Sequence, residues 1–189
     1  GDKVLVCQFG IVTEGMIIEY NLQNSYSLLG GVQAWNNFIK DKNDLSRWIR
    51  QTILEEIGIE GQKKIMDARV AIVGMGGLGC PAATSLVAAG IGTLNIIDGD
   101  NVDLSNLHRQ HLYKPEDIGK DKVHVAKRSL ENISRQTKIN PFNYFLDQSN
   151  AKSCFENMDI IIDATDNIVS RQYIDKISKD KNLPMIYGS

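Results

Sequence analysis

Strand-like and helix-like stretches alternate along most of the chain. Strand-like, mainly apolar runs occur at residues 70–73, 93–97 and 160–162, and helix-like stretches occur at residues 81–89, 122–133 and 168–177. Strands that alternate with helices in this way are typical of βαβ units. We therefore predict an α/β fold, a Rossmann-like and mostly parallel sheet with helices on both faces.

The first 40 residues have a different pattern. Residues 3–8 form a short strand-like run, residues 9–13 read as a loop, and residues 14–20 are compatible with a helix. The charged, polar stretch at residues 40–46 is typical of a linker. We place a domain boundary near residue 42, which gives an N-terminal α/β piece at residues 1–41 and a larger domain at residues 42–189.

Composition narrows the function classes. With 189 residues, of which 42% are hydrophobic and 23% charged, the chain can bury one core and a smaller appendage. A net charge of -2 gives no electrostatic reason to expect nucleic acid or an anionic membrane as a partner. No apolar run approaches the roughly 18 to 20 residues of a membrane-spanning helix. The start lacks a methionine and a signal-like segment, so we expect a piece of a longer protein.

The three cysteines indicate a reducing compartment. Cys7, Cys80 and Cys154 lie too far apart for a CxxC metal pair, and they are too few for a disulfide framework. A cytoplasmic location is therefore expected.

The sequence GMGGLG at residues 74–79 follows a strand-like run and opens a helix of small residues. Glycines permit the tight turn and let main-chain N–H groups approach a phosphate at a helix N-terminus. Gly74, Gly76, Gly77, Leu78 and Gly79 are thus candidates for nucleotide binding. A tight strand-to-helix turn without a ligand is the alternative.

A row of polar residues follows the next strand. Asp98 lies 24 positions after Gly74, close to the spacing expected for a carboxylate that binds a ribose, and the alternative is an aspartate that satisfies a neighbouring turn. Arginine supplies paired donors to phosphate oxygens, and lysine supplies a compact charge. We therefore predict a clamp for a triphosphate, although each basic residue alone could be a surface charge. The candidates are Asp100, Asn106, Arg109, Gln110, Lys120 and Lys122.

A third polar cluster ends the strand-like run of DIIIDATDN at residues 159–167. Ligands of open α/β sheets bind beyond such strand ends, and a carboxylate there can hold hydrated Mg²⁺ against phosphate oxygens. Asp166 is therefore the candidate Mg²⁺ ligand, and Asn167 is a candidate nucleotide contact. An Asx turn or a helix cap is the alternative, and Asn167 suits a cap equally well.

Together these motifs resemble the ThiF/MoeB/HesA family, the bacterial relatives of ubiquitin-activating enzymes. The likeness covers about residues 44–189 and includes the glycine turn, the row from Asp98 to Gln110, the DIG segment at residues 117–119, and DATDN with the following Arg171. The resemblance implies Mg-ATP as cofactor and adenylation of the C-terminal glycine of a ubiquitin-like sulfur carrier of the ThiS or MoaD kind. Pyrophosphate would be released, in sulfur transfer for thiamine or molybdopterin biosynthesis.

The resemblance also implies residue roles. The turn at residues 74–79 would cradle the nucleotide, Asp98 would hold the ribose, Arg109 and Lys122 the phosphates, and Asp166 the magnesium. Arg50 would reach across a homodimer into the ATP site of the partner. The zinc site of relatives would lie beyond the end of this chain. A C-terminal carboxylate is already ionised at neutral pH, so this chemistry requires no general base.

The N-terminal piece is similar to the C-terminal part of a rhodanese-like domain, in which a loop cysteine carries a persulfide. The likeness lies in residues 7–13 and 29–35. Cys7 is then the candidate sulfur carrier, although Val12 stands where such loops commonly have arginine. A buried, inert cysteine is the alternative.

Two other function classes fit the same fold. One is an NAD-binding Rossmann oxidoreductase, and the other is a non-catalytic scaffold that binds ubiquitin-like proteins. The polar row from Asp98 to Gln110 and the DATDN segment favour adenylation over hydride transfer.

Overall fold

The computed structural model describes residues 3–5, 25–27, 31–32 and 45–188. The chain divides into two compact units, Gly1–Ile59 and Glu60–Ser189, and each is described by itself. The boundary predicted near residue 42 falls outside the described residues and stays a prediction. The same holds for the loop at residues 9–13 and the helix at residues 14–20.

The described part of the first unit includes two short strands and a helical segment. Strand β1, Lys3–Leu5, pairs in parallel with β2, Ser25–Ser27. A 3₁₀ helix, Ser46–Trp48, leads directly into helix α1, Ile49–Thr52. Trp48 is buried, whereas Arg50 of α1 is exposed.

A parallel five-stranded sheet forms the second unit, with strand order β5-β4-β3-β6-β7. Helix α2, Gly58–Asp67, leads into this sheet. The remaining elements in chain order are β3 (Arg69–Val73), α3 (Gly79–Ala89), β4 (Thr93–Ile97), α4 (Lys122–Ile133), β5 (Lys138–Phe142), α5 (Ala151–Cys154), β6 (Ile160–Asp163), α6 (Ile168–Lys181) and β7 (Met185–Tyr187). Two further 3₁₀ turns occupy Leu104–Asn106 and Pro115–Asp117. The predicted parallel α/β organisation is confirmed.

Helices cover both faces of the sheet. Because successive strand residues point to opposite faces, Val70 and Ile72 of β3 pack on one side while Ala71 and Val73 pack on the other. The first side is completed by residues of α3 and α4, namely Ala83, Val87, Val123, Ala126 and Leu130. The second side is completed by Ala151, Cys154, Phe155 and Ile174, which lie in or beside α5 and α6. The central strands are therefore buried on both faces.

The strand order creates a crevice at the carboxyl ends of the central strands. From β3 the chain adds β4 and β5 on one side, and it then crosses to add β6 and β7 on the other. Such a reversal separates the loops that follow β3 and β6, and ligands of open α/β sheets bind in the crevice between them. Within the described ranges, no helix combines the length and apolarity that crossing a membrane would require.

Candidate functional site

A cleft of about 850 Å³ opens at the carboxyl ends of β3, β4 and β6. It collects most of the residues that the sequence nominates from three separate segments. Those that line it are Gly74, Gly76, Gly77, Leu78, Asp98, Asp100, Asn106, Arg109, Gln110, Lys122, Asp166 and Asn167. Arg50 belongs to the other unit, and Cys7 lies outside the described residues.

The glycine turn contains glycines of two kinds. Gly74 has φ +93°, and a Cβ there would lie 2.6 Å from the carbonyl oxygen of Ala164. A Cβ on Gly79 would overlap the carbonyl oxygen of Gly74, so Gly79 serves the packing of α3 and does not line the cleft. By contrast, the described atom nearest to a Cβ on Gly76 is Gln110 Nε2 at 3.7 Å, an ordinary contact. Packing therefore explains Gly74 and Gly79, whereas no described neighbour explains Gly76, where the bare main chain leaves room for a ligand to approach.

The turn presents unpaired donors in a fixed orientation. The Met75 N–H donates to Asp98 Oδ2 at 2.7 Å, and the Met75 carbonyl accepts from the Tyr113 hydroxyl at 2.7 Å. In the part of the chain that the structure describes, the N–H groups of Gly76, Gly77 and Leu78 donate no hydrogen bond. Unpaired N–H groups at the start of a helix attract anions. The turn is therefore suited to bind a phosphate.

Asp98 joins the turn to the following loop. Its Oδ1 accepts from the Asp100 N–H at 2.8 Å, in addition to the bond that Oδ2 accepts from Met75. Burial raises the pKa of the Asp98 carboxyl above its ordinary value. Each carboxylate oxygen can accept more than one hydrogen bond, so a ribose hydroxyl can add to these contacts. The structural role is observed, and the ribose role remains a prediction.

Among the described residues three cations line the cleft, and two of them, Lys122 and Arg109, follow β4. Lys122 begins α4 and is buried, and its Nζ lies 2.7 Å from Oδ2 of the half-exposed Asp100. Arg109 is exposed, and its Nη2 donates to Asn106 Oδ1 at 2.8 Å. Since Asp100 and Asn106 are both accessible, a phosphate can bind beside these two partners or replace them. Lys122 and Arg109 thus offer one buried ammonium and one guanidinium to an anion.

Lys120 lies elsewhere. Its Nζ pairs with Asp117 Oδ1 at 3.0 Å, and Arg128 Nη2 reaches the same oxygen at 2.6 Å. Burial alone would raise the pKa of Asp117, but these hydrogen bonds lower it below the ordinary value. All three residues line a second cavity of about 530 Å³. Lys120 therefore stabilises the loop before α4 and does not line the first cleft.

Gln110 shows an unpaired polar atom at the cleft. The residue is 3% exposed, and its Oε1 has no hydrogen-bond partner among the described residues. Buried polar atoms are usually paired, so a partner from outside the chain is expected at this position.

The loop after β6 holds the candidate metal ligand. Asp166 is exposed, and its carboxylate makes no hydrogen bond or ion pair within the residues that the structure describes. Asn167 caps α6, since its Oδ1 accepts from the N–H groups of Val169 at 2.8 Å and Ser170 at 3.4 Å. The cap that the sequence left open for Asn167 is therefore present, although the residue also lines the cleft.

The donor set limits the kind of metal site. The described residues hold no cluster of three His, Cys, Asp or Glu side chains that could bind a metal by themselves. Mg²⁺ usually keeps its waters and binds through one or two carboxylates plus phosphate oxygens. One free carboxylate in the cleft that the glycine turn also lines fits that mode.

Sequence reasoning missed an apolar wall of the cleft. Tyr144, Phe145 and Leu146 follow β5 and line the cleft, and Phe145 is 61% exposed. A Cβ on Gly99 would lie 2.7 Å from the Phe145 backbone nitrogen, so glycine allows this loop to approach β4. The wall could receive a nucleobase. The strand β5 that positions it was not predicted, which left no context for these aromatic residues.

Neither described cysteine suits nucleophilic chemistry. Cys80 and Cys154 are both buried, and burial raises the pKa of each thiol to about 11. A thiol with that pKa stays protonated at neutral pH, whereas the thiolate is the reactive form. These two cysteines are therefore packing residues.

The fold and the cleft define a Rossmann-like α/β domain with the features of a nucleotide-phosphate site. The ThiF family model matches residues 49–189, and the chain belongs to the ThiF family.

Three known proteins illustrate the relationship. The chain is 43% identical over 150 residues to "Adenylyltransferase and sulfurtransferase MOCS3" of Caenorhabditis briggsae, which covers 78% of this chain and 37% of that protein. It is 36% identical over 148 residues to "Sulfur carrier protein adenylyltransferase" of Thermus thermophilus, which covers 78% of this chain and 55% of that protein. The crystal structure of PaaA superposes with a TM-score of 0.69 at 33% identity, over 78% of this chain and 51% of that one. The chain thus spans about a third to a half of these relatives.

Proposed function

We propose that this chain carries the nucleotide site of a cytoplasmic adenylyltransferase. Its substrate would be the C-terminal glycine of a ubiquitin-like sulfur carrier of the ThiS or MoaD type, and the products would be the acyl-adenylate and pyrophosphate. The observation that carries the proposal is one cleft that joins unpaired N–H groups of the glycine turn to Lys122, Arg109 and the free carboxylate of Asp166. The names of the two curated relatives support it.

The residues suit nucleotidyl transfer. A terminal carboxylate has a pKa of roughly 3.3 to 3.7, so it is ionised and can attack the α-phosphorus directly. A C–O–P bond forms, the bond from the α-phosphorus to the β-phosphate oxygen breaks, and pyrophosphate leaves with the electron pair. Arg109 and Lys122 would offset the charge on the phosphates, while the glycine turn would orient them. Magnesium, held by Asp166 when bound, would further neutralise the leaving group.

Arg50 has a separate proposed role. Its exposed side chain would enter the ATP site of a second copy in a homodimer. If so, Arg50→Ala and Lys122→Met proteins, each inactive alone, should regain activity when mixed, since one site of the mixed dimer keeps both residues. Mixtures that stay inactive while dimers demonstrably exchange subunits would refute the trans role.

ATP–pyrophosphate exchange tests the proposed reaction. The full-length protein should exchange labelled pyrophosphate into ATP only when a carrier is present, and the ThiS-like or MoaD-like carrier that supports exchange would indicate thiamine or molybdopterin biosynthesis. A carrier without its terminal glycine is the matched control. Carrier binding without exchange would favour the non-catalytic scaffold instead.

An NAD-dependent oxidoreductase is the second candidate, because the βαβ fold and the aspartate after β4 suit a dinucleotide as well. Titration of the same protein with Mg-ATP and with NAD separates the two. Tighter binding of NAD would overturn the adenylation proposal.

A further inference from the structure

Arg171 of α6 has every part of its guanidinium engaged. Its Nε donates to Asp163 Oδ2 at 3.1 Å, its Nη2 to the Thr165 carbonyl at 2.8 Å, and its Nη1 to the Tyr187 hydroxyl at 2.6 Å. The guanidinium carbon also lies 4.1 Å from the centroid of the Tyr187 ring. One side chain therefore ties together the end of β6, the loop after it, and the end of β7.

Asp163 is the buried centre of this network. It is fully buried, and its Oδ1 accepts from both the N–H and the hydroxyl of Thr165, at 3.0 and 2.6 Å. The cation that balances this carboxylate is Arg171. Since a buried charge without its partner is strongly unfavourable, the pair fixes the conformation of the chain around it.

The network holds the residue immediately before Asp166. Thr165 is bound on both sides, through its N–H and hydroxyl to Asp163 and through its carbonyl to Arg171. The peptide group that contains the Thr165 carbonyl also contains the Asp166 nitrogen. Asp166 makes no hydrogen bond or ion pair of its own in the described chain, so its placement depends on this neighbouring peptide.

We propose that Arg171 is a positioning residue. It fixes the peptide before Asp166 and so holds Asp166 where it can bind magnesium beside the nucleotide, and Tyr187 in turn holds Arg171 in place. This inference rests on the proposed function, in which Asp166 holds magnesium beside the phosphates. It assigns a role to a side chain that lines the same cleft and whose three guanidinium nitrogens are all engaged within the protein. Removing the Tyr187 hydroxyl should therefore reduce the factor by which Mg²⁺ tightens ATP binding, and it should leave the affinity for ATP without Mg²⁺ unchanged.

The test compares ATP affinity with and without Mg²⁺ by calorimetry on the full-length protein. In the wild type, Mg²⁺ should tighten ATP binding. Arg171→Lys keeps the charge but cannot make all three hydrogen bonds of the guanidinium. We therefore expect the Mg²⁺ gain, which is the ratio of the ATP affinities with and without Mg²⁺, to fall about 3- to 10-fold. Metal-free ATP affinity should stay within about twofold of wild type, because the glycine turn and Lys122 are unchanged.

Tyr187→Phe and Arg69→Lys make the test decisive. Tyr187→Phe keeps the Arg171 to Asp163 pair, so it should fold even if Arg171→Lys does not, with about a 2- to 5-fold loss of the Mg²⁺ gain. Arg69 forms a more exposed arginine–aspartate pair with Asp159, at 3.2 and 2.7 Å, at the opposite end of the sheet. Its variant should lower the melting temperature and leave the Mg²⁺ gain unchanged.

The outcomes separate the two proposals. If Tyr187→Phe and folded Arg171→Lys keep the wild-type Mg²⁺ gain, the positioning role is wrong and the network is only structural. An equal loss in Arg69→Lys would contradict it as well. Failure of the proposed function appears differently, as a wild-type protein that binds Mg-ATP but never exchanges pyrophosphate with any carrier.

Discussion

Replacing Gly76 by alanine distinguishes a glycine kept for a ligand from a glycine kept for the fold. The backbone of Gly76 is not in the left-handed region, and its Cβ would meet Gln110 Nε2 at 3.7 Å. Alanine at such a position usually raises the free energy of unfolding by about 0.4–1 kcal/mol, because it restricts the unfolded chain. We therefore expect Gly76→Ala to be at least as stable as the wild type.

Gly74→Ala is the matched control in the same turn. At φ +93°, alanine costs about 1–3 kcal/mol in conformation, and a Cβ 2.6 Å from the Ala164 carbonyl adds about 1–3 kcal/mol of overpacking. The total of about 2–6 kcal/mol corresponds to a fall in melting temperature of at least roughly 4 °C for a chain of this size.

Although Gly76→Ala should keep its stability, it should lose affinity for the nucleotide. A methyl group beside the unpaired N–H groups keeps a phosphate from approaching, and a hydrogen bond to a charged group contributes about 1.5–3 kcal/mol. Mg-ATP should then bind roughly 10- to 100-fold more weakly. Calorimetric titration and thermal unfolding of the same samples measure both quantities. Wild-type affinity in a stable Gly76→Ala protein would refute our reason for this glycine, as would a loss of stability equal to that of Gly74→Ala.

Three further predictions follow from the charged groups. Lys122→Met should weaken Mg-ATP binding about 10- to 100-fold in the same titration. The variant should still fold, because water can hydrate the half-exposed Asp100 once its partner is lost. Unchanged affinity would show that Lys122 does not bind the phosphates. Because the pKa of Asp98 is raised, its carboxylate is lost at a higher pH than an ordinary aspartate. ATP affinity should therefore fall as the pH is lowered through this raised pKa, and Asp98→Asn should bind more weakly but lack that step. The folded-state pKa of Asp117 is lowered, so its stabilising contribution is complete above the unfolded value of about 3.9 and is lost as the pH falls through the folded pKa. Urea unfolding should accordingly show a smaller acid dependence for Asp117→Asn, and an unaltered dependence would show that the ion pairs of Asp117 do not matter.

The centre of the sheet could be predicted from the sequence, but its edges could not. Strands β3, β4 and β6 are buried and mainly apolar, so their pattern is strong. Strand β5 contains Pro141 and, among the described strands, pairs only with β4, which makes it an edge strand, where a proline is tolerated and polar residues are common. The other edge strand, β7, has three residues and too little length for any periodic signal.

The site divides in a similar way. Candidates that belong to a local motif, such as the glycine turn and Asp98, could be nominated from spacing, and they line one cleft in the structure. Arg171 could be singled out only as the arginine that follows DATDN in the family resemblance, and its contact with Tyr187 joins two elements in a way that no spacing reveals. One signal was available: Asp163 ends an apolar strand, and a buried aspartate requires a cation nearby.

The mass of the carrier protein after incubation with this protein and Mg-ATP tests the adenylation claim most directly. We predict that a carrier of the ThiS or MoaD type gains one AMP unit, that added pyrophosphate reverses the gain, and that Lys122→Met abolishes it. A carrier that stays unmodified while it binds the protein, in the presence of ATP that is also bound, would contradict the account.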